Sequence, residues 1–567
     1  MEKQRQSGCK LHLKHTTKYS KKGQGQFMKK PIKRIIIAGG GSSGWMSAAM
    51  LSKQFPHMEI ALVESPDVPI IGVGESTLGS INQYLGLLGL KDEDWMEYCN
   101  ATYKLAIKFR DFYKKGETFY YPFGVKDLQN TQQGATDWYV KKIMNPDLDV
   151  NDFYENVYSS MPMIYQTKIF DNKDGQLPGF SWRNDSAYHM DATLFGNFLR
   201  DRLCLPAGVV HVSAHIEQVI KDSDGYISGL KLDNGDVLEA DLYVDCTGFR
   251  SLLLEQAMGV PFESYSSHLP NNHAWVTHVP YSIKEIEMEN VTNCTAHNNG
   301  WIWNIPLYNR IGSGYVFCDK FISKEDALQE YKDYLNSEAM TVYNPMRSEL
   351  CEFRLIQIKN GAHDRAWVKN CVGVGLSYAF VEPLESTGLL SVQELLLKLC
   401  ETLHNTQINK IHVDHFNYIA NYVMESFKNF VTYHYVFSSR RDTPYWQHVT
   451  EHIEMDPLMF DRKFNQLPPT AAGDLAIKLL QTHSLPADQS MGGMPDILVG
   501  MHTLPVTPTQ VQIVKMLIES RHGQAPEFYS SQTQDYWDQK KEYINSLMES
   551  APSHYQYLRE NIYNGKE

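Results

Sequence analysis

The first strong pattern in the chain is a change of hydrophobic period. Behind Lys33 and Arg34, the β-branched run Ile35, Ile36, Ile37, Ala38 reads as a short buried strand. It stops in a glycine-rich stretch from Gly39 to Gly44, and the apolar residues Trp45 to Leu51 continue at helical spacing. A second strand, Glu59 to Val63, closes on Glu64, twenty residues after Gly44. Strand, tight turn, helix and strand form a βαβ unit of the dinucleotide-binding kind. Two further short apolar runs end in glycine far downstream, at Leu242–Gly248 and Cys371–Gly375, as in a nucleotide-binding domain interrupted by insertions. Between them, alternation at Gly229–Leu232 and Gly314–Phe317 predicts an antiparallel sheet that could roof a cavity. From about Leu390 the pattern turns helical, as in Val392–Leu399, with no repeat and no low-complexity linker. The predicted class is α/β: a Rossmann-like core with an inserted sheet over 31–400, then a helical C-terminal subdomain over 401–567 that completes the pocket.

Composition narrows the function classes. The 567 residues are 43% hydrophobic and 21% charged, the make-up of a globular protein, and 12% aromatic, which is high. A net charge of -13 argues against nucleic-acid binding, which needs a basic face. The dense basic run lies in residues 1–30, nine Lys and Arg from Lys3 to Lys30 against the single acid Glu2, without the apolar stretch of a secretory signal. It is expected to be a disordered extension, an expression remnant or a start placed upstream of Met28 rather than an organelle-targeting peptide. The nine cysteines are scattered and never spaced Cys-x-x-Cys, as expected of reduced thiols in the cytoplasm. No apolar run reaches the roughly 18 residues that span a bilayer, so no membrane partner is expected. His412, Asp414 and His415 have no further ligands at convincing spacing, and no metal is expected.

Gly39, Gly41 and Gly44 spell GxGxxG, in which the backbone around Ser42 and Ser43 can approach a pyrophosphate at a helix N-terminus, with Glu64 as the ribose acceptor. The same letters spell the G-x-S-x-G of a nucleophile elbow around Ser42, so a serine hydrolase remains open on this motif alone.

Three further motifs carry a resemblance: Gly72-Val73-Gly74-Glu75-Ser76-Thr77, Gly300-Trp301-Ile302-Trp303-Asn304-Ile305-Pro306 and Pro383-Leu384-Glu385-Ser386-Thr387-Gly388. Over roughly Ile32 to Trp446 the chain resembles the flavin-dependent tryptophan halogenases. The resemblance implies an enzyme that uses reduced FAD, oxygen and a halide ion to halogenate an electron-rich aromatic ring such as an indole or phenol. The route it implies runs through a flavin hydroperoxide and hypohalous acid passed to a lysine.

By that match Lys104 is the catalytic lysine and Glu385 faces the substrate, while Thr387 and Gly388 hold the halide on their amides. Lys108, one helical turn beyond Lys104, is the rival on the same face. FAD contacts fall to Gly74, Glu75, Ile216, Leu376 and Leu389 besides the glycine turn. The substrate pocket takes Tyr121, Phe123, Trp301, Trp303, Ser386, Tyr445 and Trp446, the two tryptophans forming a wall beside the flavin. Arg441 stands at the apparent position of an acid that would grip a free amino group, which argues against free tryptophan as substrate. A single dinucleotide fingerprint implies a separate NAD(P)H-dependent flavin reductase, and the resemblance leaves room for a homodimer. A flavin-dependent aromatic hydroxylase and a catalytically silent flavin protein are the alternatives.

Overall fold

The structure is a computed structural model, and it describes residues 31–565 apart from 68–71, 125–137, 139–140, 172–175, 406, 454–492, 504–511, 513–514, 517–518 and 521–530. The expectation for residues 1–30 lies outside the described residues.

The glycine-bounded runs assemble as their period predicts. Arg34–Ala38 sits at the centre of a six-stranded sheet, flanked in parallel by Leu242–Asp245 and Glu59–Glu64; Cys371–Gly373 and Val210–Ser213 extend it in parallel, and Trp367–Val368 closes one edge as a hairpin. Ile35, Ile36 and Ile37 are all buried, as a central parallel strand covered on both faces must be. The helix Ser42–Gln54 is buried continuously from Gly44 to Leu51, which explains its nearly unbroken apolar sequence.

The second large sheet has seven strands, in the order Arg354–Gln357, His273–Val279, Ile311–Phe317, Gly300–Pro306, Val291–His297, Ala106–Arg110 and Thr118–Pro122. All neighbours are antiparallel except Val291–His297 with Ala106–Arg110. Register decides what each face does. Tyr121 pairs with Ile107, Phe119 with Phe109, Phe109 with Cys294 and Cys294 with Trp303, so these side chains share one face. Tyr120, Lys108, Asn293 and Asn304 share the other.

Two expectations are corrected here. Residues 101–109 are not helical: Thr102–Lys104 is the edge of a small three-stranded sheet with Ala187–Met190 and Glu75–Ser76, and Ala106–Arg110 belongs to the seven-stranded sheet. Its run of half-polar, half-apolar residues is a strand alternation interrupted at Leu105. Gly229–Leu232 and Gly314–Phe317 do not share a sheet either, because among the described residues the former pairs only with Ile216–Lys221 and Val237–Leu238.

Behind Thr387 the chain becomes largely helical, with Thr387–Leu403, Lys410–Val436 and Pro444–Glu451 in succession. The last helix, His554–Asn561, returns to the small sheet, where the buried His554 ring accepts the Tyr103 amide at 3.1 Å.

Candidate active site

The glycines of the first turn divide into packing and ligand-facing positions. A Cβ on Gly39 would stand 2.2 Å from the Cys246 carbonyl oxygen, and φ there is +108°; one on Gly44 would stand 1.9 Å from the Gly39 oxygen. Both are required by the fold itself. A Cβ on Gly41 meets nothing within 4 Å, so this residue, at the start of the Ser42–Gln54 helix, borders the open cradle. Ser43 lies against Gly375, beside which Leu376 leaves 36% of its surface exposed. Glu64 lies over Gly40, its Oε1 is 2.6 Å from His211 Nε2, and its carbonyl accepts from Ala214, two residues before Ile216. An open helix start, an acid at the strand end and an exposed leucine beside the turn fit the flavin nucleotide expected there.

Lys104 ends its strand with no exposed surface. Nζ donates to the Thr77 carbonyl oxygen and to Ser386 Oγ, each at 2.8 Å, and lies 5.0 Å from the Phe123 ring centroid. Burial pulls its pKa down from 10.5 to about 7, with Cys294 and Glu385 acting weakly the other way. Lys108 is on the opposite face of its sheet, paired with Glu289 at 3.4 Å, and the break at Leu105 puts the two lysines that helical spacing would have brought together on strands of two different sheets.

Glu385 is the last residue of a short 3-10 turn and is also wholly buried. Burial raises its carboxyl above the usual range, opposed by His434 and then Lys104. His434, on the Lys410–Val436 helix, places Nε2 2.6 Å from Glu385 Oε1. This partner is not assigned by sequence, because nothing in the spacing of the two residues pairs His434 with Glu385.

Ser386 adopts left-handed φ and ψ of 57° and 33° and turns the chain into the Thr387–Leu403 helix. Thr387 Oγ1 is buried and has no hydrogen-bond partner among the described residues. A Cβ on Gly388 would stand 3.5 Å from Glu75 Oε2, and burial lifts the Glu75 carboxyl to about 7. A 17-residue helix start with an unpartnered buried hydroxyl suits a small anion. Leu389 is buried in the same first turn. Gly74, at φ +127°, abuts Leu307 and Gly312 and sets Glu75 in place.

Of the aromatic residues, Tyr121, Phe123, Trp301 and Trp303 lie around this centre. The Tyr121 and Phe123 rings are 5.6 Å apart and edge-on, and Gly493, at the start of the Met494–Gly500 helix, packs on Tyr121 so closely that a Cβ would stand 2.4 Å from the ring. The Trp301 and Trp303 centroids are 5.8 Å apart, and Trp301 Nε1 donates to Glu382 at 3.1 Å. Trp446 is not brought to the centre, and Tyr445 lies beside the Glu382 carboxylate that holds Trp301. Both are fully buried, Trp446 Nε1 donates to the His297 carbonyl at 2.7 Å, and Phe112 stands between Trp446 and His434, 6.2 and 6.1 Å from them.

Arg441 is corrected as well. Its side chain is exposed, ion-pairs with Glu451 at 2.8 Å and donates to the Ser438 carbonyl. It therefore supplies no argument about a substrate ammonium group. Arg441→Glu is expected to leave kcat/KM for free tryptophan within about twofold of the parent, as for an exposed charge away from the chemistry; steady-state kinetics would check it.

The tryptophan halogenase family model matches residues 34–466. The chain belongs to that family. It is 34% identical over 438 residues to tryptophan 6-halogenase SttH of Streptomyces toxytricini, covering 73% of this chain and 80% of the relative. Among solved structures, VirX1 in its apo form is 38% identical with a TM-score of 0.82, covering 94% of this chain and all of the other. BrvH, a flavin-dependent halogenase from Brevundimonas sp. BAL3, is 27% identical with a TM-score of 0.75, covering 94% and 99%. The tryptophan halogenase family consists of flavin-dependent enzymes that halogenate aromatic rings, and this chain is one of them; the hydrolase reading of Ser42 falls with that assignment. Among the described residues no helix is long and apolar enough to cross a membrane, and no group of His, Cys, Asp or Glu could hold a metal ion.

Proposed function

We propose that the chain halogenates an indole or a similarly electron-rich ring bound between Tyr121, Phe123 and the Lys104–Glu385 centre. The buried Lys104 amine carries this reading. FAD would be held by the Gly41 cradle, Ser42, Ser43, Glu64, Ile216, Leu376 and Leu389, and in reduced form, with oxygen, it supplies the oxidising equivalent for halide. A separate NAD(P)H-dependent reductase supplies the reduced flavin.

The Thr387 and Gly388 amides and Thr387 Oγ1 hold the halide, where the helix start compensates its charge. Trp301, locked by Glu382, and Trp303 wall the aromatic ring from the flavin side, so that oxygen is not delivered to the ring directly. With a pKa of about 7, Lys104 has a neutral form near physiological pH. That form spends its two N–H groups on Thr77 and Ser386 and presents its lone pair to the oxidised halogen. Glu385 stabilises the cationic ring formed on attack and takes the proton that leaves it. Its burial makes that charge effective at short range. The names of the relatives favour an indole over a phenol.

Glu385→Gln is expected to cut kcat for ring halogenation by roughly a hundredfold, since one preorganised electrostatic group is worth about 2 to 4 kcal/mol in a transition state. Product formation by mass spectrometry against flavin oxidation by absorbance tests it. A fully active Glu385→Gln variant would remove the carboxylate from the mechanism.

A further inference from the structure

Glu385 does not stand alone in the core. His434 has no exposed surface, and its Nδ1 lies 3.1 Å from the Phe430 carbonyl oxygen one helical turn earlier. A carbonyl oxygen only accepts, so Nδ1 carries a hydrogen; this assigns the tautomer. Nε2 lies 2.6 Å from Glu385 Oε1, the contact distance of an imidazolium–carboxylate ion pair, although neither atom makes an aligned hydrogen bond among the described residues. A proton shared across this contact would make the pair neutral as a unit. Phe109, Phe112 and Phe430 enclose the imidazole at 4.8, 6.1 and 5.8 Å.

The other charged groups nearby are Lys104 and Glu382. The Glu382 carboxylate is occupied by Asn271, Trp301 and Tyr435 at 2.8, 3.1 and 2.9 Å. It is therefore committed to holding the tryptophan wall. Both Glu385 oxygens are buried without an aligned hydrogen bond among the described residues, Oε1 in ion contact with His434 Nε2 and Oε2 the farther of the two from that ring.

We propose that His434 is a positioning residue that pins Glu385 by Oε1 and shares its proton, leaving Oε2 as the one oxygen that accepts the ring proton. The ring attacks the halogen carried on Lys104 Nζ, so the carbon–halogen bond forms as the nitrogen–halogen bond breaks and its electron pair returns to Nζ. The ring C–H bond then breaks, its electron pair restores aromaticity, and the proton passes to Oε2. The pair holds two protons until product leaves, when one returns to solvent. No electrons are exchanged in this step. The inference rests on the proposal that Glu385 faces the ring.

The test compares His434→Gln, His434→Phe and Glu385→Gln in the full chain, supplied with FAD, a flavin reductase, NADH, bromide and an indole carrying hydrogen or deuterium at the halogenated carbon. A glutamine amide can donate to Oε1 from about the place of Nε2, whereas phenylalanine cannot. His434→Phe is expected to lose about a hundredfold in kcat with KM for the indole and flavin oxidation unchanged, and to develop a deuterium isotope effect that the parent lacks. His434→Gln is expected to recover to within about tenfold of the parent. Should His434→Phe fail to fold, His434→Asn, polar but too short to reach Oε1, takes its place. Equal losses in the glutamine and phenylalanine variants with no isotope effect would make His434 a packing residue and overturn the proposal. So would parent-like rates in both while Glu385→Gln is impaired. A fully active Glu385→Gln variant overturns instead the reading on which the proposal rests.

Discussion

Lys104→Met is expected to suppress ring halogenation by roughly a thousandfold or more while reduced flavin continues to be oxidised. The substitution keeps the stem of the side chain but deletes the amine held by Thr77 and Ser386 beside Glu385. Lys108→Ala, on the far face of the sheet and paired with Glu289, should keep parent activity. The same lysine makes a second, independent signature. Its folded pKa of about 7 lies below the ordinary 10.5, so the unfolded chain binds the extra proton between those values. The cost of burying it is fully present below pH 7, up to about 5 kcal/mol, and fades as pH rises toward 10.5. Lys104→Met should therefore gain more in Tm over the parent at pH 6 than at pH 8.5, as scanning calorimetry would show. A dead Lys108→Ala with an active Lys104→Met, both folded, would assign the chemistry to the other lysine.

Gly41→Val should abolish FAD retention without unfolding the protein. The two flanking glycines of the motif are packed against backbone, so their substitution would damage the fold and reveal nothing about the ligand. At Gly41 a side chain projects into open space, where it would meet only the pyrophosphate. Equilibrium titration with FAD, alongside circular dichroism, separates the two effects. Parent-like affinity in a folded Gly41→Val variant would move the nucleotide elsewhere.

The βαβ unit is legible because its glycines and β-branched runs act locally. The turn must be tight, Gly39 must accept positive φ, and Ile35 to Ile37 must be buried on both faces. Lys104 is legible only through its motif, since burial at the end of a three-residue strand leaves no periodic trace. The break at Leu105 is not legible, and it puts Lys104 and Lys108 on strands of two different sheets. The neighbouring arginines make the same point at shorter range. Arg440 is buried, bridges Asp442 and stacks 4.3 Å over Trp446, while Arg441 faces outward; a turn decides which is which. Trp446 illustrates a limit of composition, because an aromatic residue that braces a core and one that holds a ligand have the same letter. The His434–Glu385 pair does not exist until the Lys410–Val436 helix packs against the Pro383–Glu385 turn.

The most direct test of aromatic halogenation is to incubate the purified chain with FAD, a flavin reductase, NADH, oxygen and bromide against a panel of indoles and phenols, and to read the products by mass spectrometry. A product with the paired bromine isotope pattern, formed only with bromide and reduced flavin and lost in Lys104→Met, is the expected result. A hydroxylated ring formed equally well without bromide, or flavin oxidation with every aromatic left unchanged, would contradict it.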